Sequence, residues 1–588
     1  MSSTALALHL SRLLDAQLVL PAGREAFVFR HALVREAVYA TILRRERAEA
    51  HFAVAAALEQ LFAGQLDQHL ADLAYHYYEA RAWDQALTYA RRAGERAQAR
   101  FAPQEAGAHF TQAIRAARQQ GQAPPADLLR ARGQVRELVG DFDGARADLE
   151  AALAAARAAA DQPAEWQTLL DLGHLWASRD YAETGEYFRA ALRLARGMDD
   201  ARRLGHSLNR VGNWHLNRDE VEAALAHHHE ALAAFEAAED MRGLAESLDL
   251  LGLTYGNQGD LRRSRDSYQR ALPLLRELND RRGEASALSV MADLAGVVAT
   301  DTAVPAFTLA EARACAEASL QLSRAIGWRA GEAYSLTVVG GNWLAAGDLG
   351  RAGQAMALAR TVAEEIGHHQ WLAAAWLNTG ALHAERLDFA AAREAAQQAC
   401  QLARQVNTRL WQRFAAGVLV QAHLELGDVA AAEAALADEP ILDTPPQSVA
   451  ERVVICAWAE IALARGDAAE AVRLLEGLAA TTPYLAPDRV PPRVWWALGR
   501  AWEAAGRLEE AAEAYRQNLR ANPDLRALGW RLHGALSRVL AALGRQAEAA
   551  RAAAEAGALI HAIAATLSDE QQRADFTRAA LRRVAGAG

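Results

Sequence analysis

A short phrase recurs along the chain at a nearly fixed spacing, and this recurrence constrains the fold more than any other feature. Its clearest forms are Gly140-Asp141-Phe142, Gly259-Asp260-Leu261, Gly347-Asp348-Leu349, Leu387-Asp388-Phe389, Gly427-Asp428-Val429 and Gly506-Arg507-Leu508. Three residues after each stands a small residue: Ala145, Ser264, Ala352, Ala392, Ala432 and Ala511. Weaker copies put Thr184, Ala224, Ala471 and Ala549 on the same ladder. From Ala145 the steps are 39, 40, 40, 88, 40, 40, 39, 40 and 38 residues, and a degenerate copy near Ala312 divides the long one. A period of this length is the signature of a solenoid, whose units bury their apolar faces only against neighbours. The chain has 588 residues, beyond the size of one globular core, which fits an extended array.

The best copy runs Trp495-x-x-Leu498-Gly499-x-x-Trp502, then Ala511-x-x-x-Tyr515, then Pro523. This is the helix-turn-helix pattern of tetratricopeptide repeats. The same grid falls on Leu248, Gly252, Tyr255, Ser264 and Tyr268, on Leu336, Gly340, Trp343, Ala352 and Met356, and on Trp376, Gly380, His383, Ala392 and Ala396. Glycine on the first helix and alanine on the second let two helices approach closely. The Gly-Asp pair ends the first helix and caps the second. The expected fold is all-α: a tetratricopeptide superhelical solenoid, with a small β-hairpin near the N-terminus where Gln17–Leu20, Pro21–Arg24 and Ala26–Phe29 read as strand, turn, strand. Residues 297–308 read as an exposed inserted loop. Residues 438–446 and the four-proline stretch 481–492 read as further loops.

Composition removes several chemistries. All 63 basic residues are arginine, so no lysine exists to serve a Walker A loop or to form a Schiff base. The net charge of −10 carries no basic stripe for nucleic acid. No apolar run is long enough to span a membrane. Cys315, Cys400 and Cys456 lie far apart and read as small apolar residues in a reducing compartment, which with the lack of a signal pattern gives an expected cytoplasmic location. His227-His228-His229 cannot converge on one ion, because consecutive helix positions point about 100° apart. No cofactor, metal or catalytic constellation is expected.

The N-terminal stretch carries a resemblance. The helix, the hairpin and the segment Phe29-Arg30-His31-Ala32-Leu33-Val34-Arg35-Glu36-Ala37-Val38-Tyr39 resemble the end of the winged-helix element that follows the nucleotide-binding module in STAND-type signalling ATPases, including MalT-like, LuxR-type and adenylate-cyclase-linked regulators. Arg44-Arg45-Glu46-Arg47 and the helix through Leu58-Glu59 occupy the place of the arginine-rich helix that leads into the repeats of that family. Leu73 to Ala80 with Trp83 to Ala86 resemble its first repeat, and the longer 40-residue period is similar too. The ATPase module itself is missing from this sequence. The expected organisation is a winged-helix-like adaptor remnant over 1–64, first helical repeats over 65–160, the solenoid proper over 161–554, and capping helices over 555–588.

In such arrays the first helix of each pair lines the concave groove. The grid then places His206, Asn209, Asn213 and Asn217, then Glu246, Asp249, Leu253 and Asn257, on that face. Tyr334, Thr337, Asn378 and Glu385 follow, then Arg493, Trp496, Arg500 and Glu503. Asparagine offers both donors and acceptors, which suits a peptide backbone. The resemblance implies a non-enzymatic sensor that holds a protein, peptide or small effector in the groove and passes the event to an ATPase in trans, with no direct contact to nucleic acid or membrane. A free-standing scaffold for complex assembly is the alternative, and an enzyme with an unrecognised groove site the third reading.

Overall fold

The computed structural model describes residues 3–22, 26–100, 102–297, 300–441 and 444–586. Among them the regular structure is helical except for one antiparallel hairpin, Val19–Pro21 paired with Phe27–Phe29, and an isolated bridge between Ala486 and Arg489. Gly23 and Arg24 of the expected turn lie outside the described residues. The chain divides into two compact units, Met1–Thr168 and Leu169–Gly588, the division falling inside the helix Gln162–Ala177.

In the first unit the hairpin leads into helices Ala32–Thr41 and Arg44–Leu61, and then into packed helices from Leu70 to Ala158. Leu73, Tyr77, Phe110, Ile114 and Leu128 form the core. Tyr77 and Tyr89 both donate their hydroxyls to Glu59, and Arg132 grips Asp148 with two bonds of 2.6 and 2.7 Å. The N-terminal segment is different in kind. Leu8, Leu20, Val28, Leu33, Leu43 and Leu61 are exposed there.

The second unit is a solenoid of helix pairs, and the recurring phrase is its punctuation. Gly259, Gly347 and Gly427 adopt φ of 89°, 79° and 79°, the left-handed turn that ends a helix cheaply only at glycine. The aspartates that follow accept the backbone N–H three residues on: Arg263, Arg351 and Ala431 donate to Asp260, Asp348 and Asp428 at 2.9 to 3.0 Å. The glycines on the first helices make room for a ring from the second. A Cβ on Gly252 would lie 2.6 Å from the Tyr268 ring, and one on Gly499 would lie 2.3 Å from the Tyr515 ring.

Successive turns of this superhelix touch. Helix starts leave backbone donors without an intrahelical partner, and three of these donors are satisfied from the adjacent turn. Tyr181 N–H donates to Val406 O at 2.9 Å, Leu349 N–H to Thr566 Oγ1 at 3.1 Å, and Arg493 N–H to Asp301 O at 2.9 Å. Thr408 Oγ1 donates to Asn217 O at 3.0 Å, and Gln370 Nε2 to Asn217 Oδ1 at 2.9 Å. Arg413, its side chain 5% exposed, reaches Asp219 as well as Glu439 and Glu451, and Ser448 Oγ donates to the same Asp219 carboxylate at 2.8 Å. The bonded residues Asn217 and Thr408 are 191 positions apart, and Asp219 and Ser448 are 229 apart. With a repeat near 40 residues, one turn takes about five repeats.

The inserted loop corrects the sequence reading. Of its described residues only Thr308, the cap of the next helix, is exposed, and Val297, Thr302, Ala303 and Val304 are buried. The insertion is apolar enough to be drawn between turns, where Thr302 O accepts from Arg452 Nε at 3.0 Å and Thr302 Oγ1 donates to Val449 O at 3.5 Å. Val298 and Ala299 lie outside the described residues, as do Leu442 and Asp443 of the 438–446 loop.

Candidate ligand site on the inner face

The first helices of successive pairs turn inward. Ala201–Asn217, Met241–Gln258, Arg281–Met291, Arg329–Ala345, His369–Glu385, Arg409–Glu425 and Val449–Ala464 share this face. Because the turns touch, the face is not an open groove. It surrounds a cavity of about 350 Å³. A second cavity of about 180 Å³ lies among later repeats.

Of the residues projected from the grid, Asn213, Asn217, Glu246, Asp249, Asn257, Tyr334 and Asn378 line the larger cavity, together with Leu253 and Thr337. Arg493, Trp496 and Glu385 line the smaller one. Asn209 does neither. It is fully buried in the seam, where it donates to Ser247 Oγ at 3.0 Å and its Oδ1 faces His228 Nδ1 at 3.3 Å. The reason is periodicity: Asn209 stands one turn before Gly212, whose face is covered by the His228 ring. Arg500 is exposed, with its guanidinium 5.7 Å from the Trp496 ring centre, and lines neither cavity. His206 turns to Glu246 at 3.0 Å, and Glu503 accepts from Tyr515 at 2.9 Å.

The asparagines are not free two-sided amides. Asn217, Asn257 and Asn378 each donate Nδ2 to the carbonyl four residues back in their own helix, at 3.0 Å. Asn217 also accepts from Gln370, so it belongs to the contact between turns as well as to the cavity wall.

Sequence reasoning missed several lining groups. Arg210 pairs with Glu246 across the cavity wall. Asp293 accepts from Tyr334 Oη at 3.3 Å. Tyr334 stacks on Trp371 with ring centres 4.5 Å apart, and Trp371 meets Trp411 edge-on at 6.3 Å. Trp371 and Trp411 stand one repeat of 40 apart in sequence, and projecting the second turn of the grid back to the first would have found them. Asp249 and Asp293 keep some accessible surface toward the cavity, but protein crowds them on every other side. That burial pushes both carboxyls up to about 7. Burial likewise brings Arg210 down to about 10.

The three adjacent histidines go to three places. His227 packs edge-on against His215, His228 is fully buried, and His229 Nε2 lies 3.0 Å from Tyr255 Oη. Among the described residues no group of three or more His, Cys, Asp or Glu is placed to hold a metal ion, and no helix is long and apolar enough to cross a membrane.

The fold is thus an all-α tetratricopeptide-type solenoid with a small N-terminal hairpin. The tetratricopeptide-repeat family model matches residues 203–277. Among solved structures, the chain is similar to the Cut9–Hcn1 hetero-tetramer of APC/C, at 18% identity over 84% of this chain and 96% of that one, with a TM-score of 0.32. It is also similar to a Rap protein complexed with Competence and Sporulation Factor, at 14% identity over 68% of this chain and 99% of that one, with a TM-score of 0.41. None of the curated proteins compared with the chain matches it.

Proposed function

We propose that this chain is a non-enzymatic binding protein that holds a small effector or a short peptide segment in the inner cavity of its solenoid. Tetratricopeptide solenoids are generally protein-binding scaffolds without catalytic activity. The observation that carries the reading is the cavity of about 350 Å³, lined by Asn213, Asn257, Asn378 and stacked aromatic rings. Its size is that of a small-molecule site and its mixed lining is that of one. The wound turns favour a compact ligand over a long extended peptide.

Within this reading the chain serves as the sensor part of a STAND-type regulator and acts on an ATPase module. The order of hairpin, helix Ala32–Thr41 and arginine-rich helix Arg44–Leu61 ahead of the repeats supports it. So do the exposed apolar side chains of that segment, which would suit a docked protein surface. The test is affinity capture of the chain from native lysate, followed by mass spectrometry of what it retains. The wild type is expected to carry a small ligand or peptide that the Asn213→Ala/Asn257→Ala variant loses. Identical retention by both would place binding elsewhere, and ATP hydrolysis by the pure chain would refute the non-enzymatic reading.

A further inference from the structure

The two cavities differ in how their charges are matched. In the smaller one, Arg531 reaches Glu385 and Arg493 lies 3.8 Å from Glu460 and also acts on Asp301, so two guanidinium groups serve three carboxylates. The larger one holds the greater surplus of negative charge, with Arg210 alone for Glu246, Asp249 and Asp293. Glu246 is engaged by Arg210 and by His206. Among the described ion pairs none is made to Asp249 or Asp293, although the Arg210 charge also acts on Asp249. Asp249 Oδ1 is sealed from solvent with no hydrogen-bond partner, and the Asp293 carboxylate receives only the long bond from Tyr334 among those described. Behind them the hydroxyl of Tyr268, whose side chain is fully buried, also lacks a partner.

Facing these carboxylates is an aromatic wall. Tyr334 joins the two features, since its hydroxyl touches Asp293 and its ring stacks on Trp371. Trp371 also carries the His368 imidazole, stacked with ring centres 5.3 Å apart, so it serves as the backing of the wall. Trp411 stands edge-on to Trp371, and Trp328 lines the same cavity. One face of Trp328 already carries the Arg282 guanidinium, 4.9 Å from the ring centre. Carboxylates beside ring faces in a partly dehydrated cavity are the arrangement that recognises an organic cation, by charge and by the negative faces of the rings together.

We propose that the larger cavity takes an organic cation, an ammonium or guanidinium group on an apolar stem, with Asp249 and Asp293 as its counter-ions and Tyr334 and Trp411, backed by Trp371, as its aromatic wall. This rests on the effector reading and names its ligand chemistry. The elevated proton affinity of both aspartates fits the same picture, because a bound cation supplies the charge that burial withholds. The cationic group is the same whether it belongs to a free amine or to a basic side chain of a peptide.

The test is calorimetric titration of the full chain with agmatine, N-acetylarginine amide and choline, using 3,3-dimethylbutan-1-ol as the neutral counterpart of choline. At least one cation is expected to bind, with choline at least about tenfold tighter than the alcohol. Asp249→Asn/Asp293→Asn is expected to weaken the cation by about tenfold or more while leaving helix content unchanged. Trp411→Leu should weaken it as a second, charge-neutral variant. Tighter binding of N-acetylarginine amide than of agmatine assigns a peptide source, and the reverse assigns a free amine. Equal affinity for choline and the alcohol, indifference to the aspartate changes, or no cation bound at millimolar concentration would overturn the proposal. None of these outcomes touches the lysate capture, so the effector reading stands or falls separately.

Discussion

His228 occupies a position that tyrosine fills in sister repeats, and the exchange has a thermodynamic consequence. Its ring covers Gly212 as Tyr268 covers Gly252 and Tyr515 covers Gly499. Fully buried, with Nε2 unpartnered, the imidazole resists protonation: burial first, and then the nearby Arg210 and flanking histidines, bring it down to about 3 from 6.5. The unfolded chain therefore binds a proton near pH 6.5 that the folded chain refuses until about pH 3. Between those values the unfolded state holds more protons, so stability falls as pH drops, by up to about 1.4 kcal/mol per pH unit from this one residue. Asp249 and Asp293 act with the opposite sign, since the folded state holds their protons up to about pH 7 and loses stability as pH rises toward that value. We predict that His228→Phe gains stability relative to the wild type as pH falls. Urea unfolding should show the offset between variant and wild type moving in the variant's favour by about 2 kcal/mol between pH 7 and pH 5, and an offset that does not change with pH would contradict the assignment.

At the scale of elements, what could be read from the sequence was whatever is decided locally. A left-handed glycine, an aspartate cap and a glycine opposite a ring lie within one helix pair, so the ladder gave the pairs, their order and most of the inward-facing positions. Asn213, Asn257, Tyr334 and Asn378 follow from that register. Asn209 did not, because one helical turn separates the seam from the inner face and the grid was drawn too wide. The contacts between turns were invisible for a different reason: Asp219 and Arg413 lie 194 residues apart and carry no shared motif. The burial of Val297 and of residues 302–304 in the insertion failed in the same way, since it depends on a neighbour far away in sequence. Arg413 is the centre of that long-range contact. Burial works against its charge, and the bonds and charges of Glu439 and Asp219 outweigh it. Arg413→Met leaves the Asp219 carboxylate buried without its cation, and is expected to cost about 3–5 kcal/mol. Denaturant titration should show that loss, together with faster proteolysis near the 438–446 loop. A variant as stable as the wild type would mean that the contact between turns contributes little.

For the solenoid unit as a whole, the consequence of winding is that binding and shape are linked. Tyr181, Asn217 and Gln370 line the larger cavity and also hold one turn to the next. A ligand in that cavity touches the residues that decide whether the superhelix stays closed, which gives a sensor a physical means of reporting occupancy. All of this depends on the turns being in contact. The most direct measurement is residue-resolved hydrogen exchange at the amides of Tyr181, Leu349 and Arg493. Each sits in the first turn of a helix, where no intrahelical bond can protect it, so protection there reports only the bond to the adjacent turn. With the turns in contact, exchange at these amides is expected to be slowed by at least about tenfold relative to other first-turn amides. Exchange as fast as at those amides would contradict the contact between turns, and with it the cavity on the inner face.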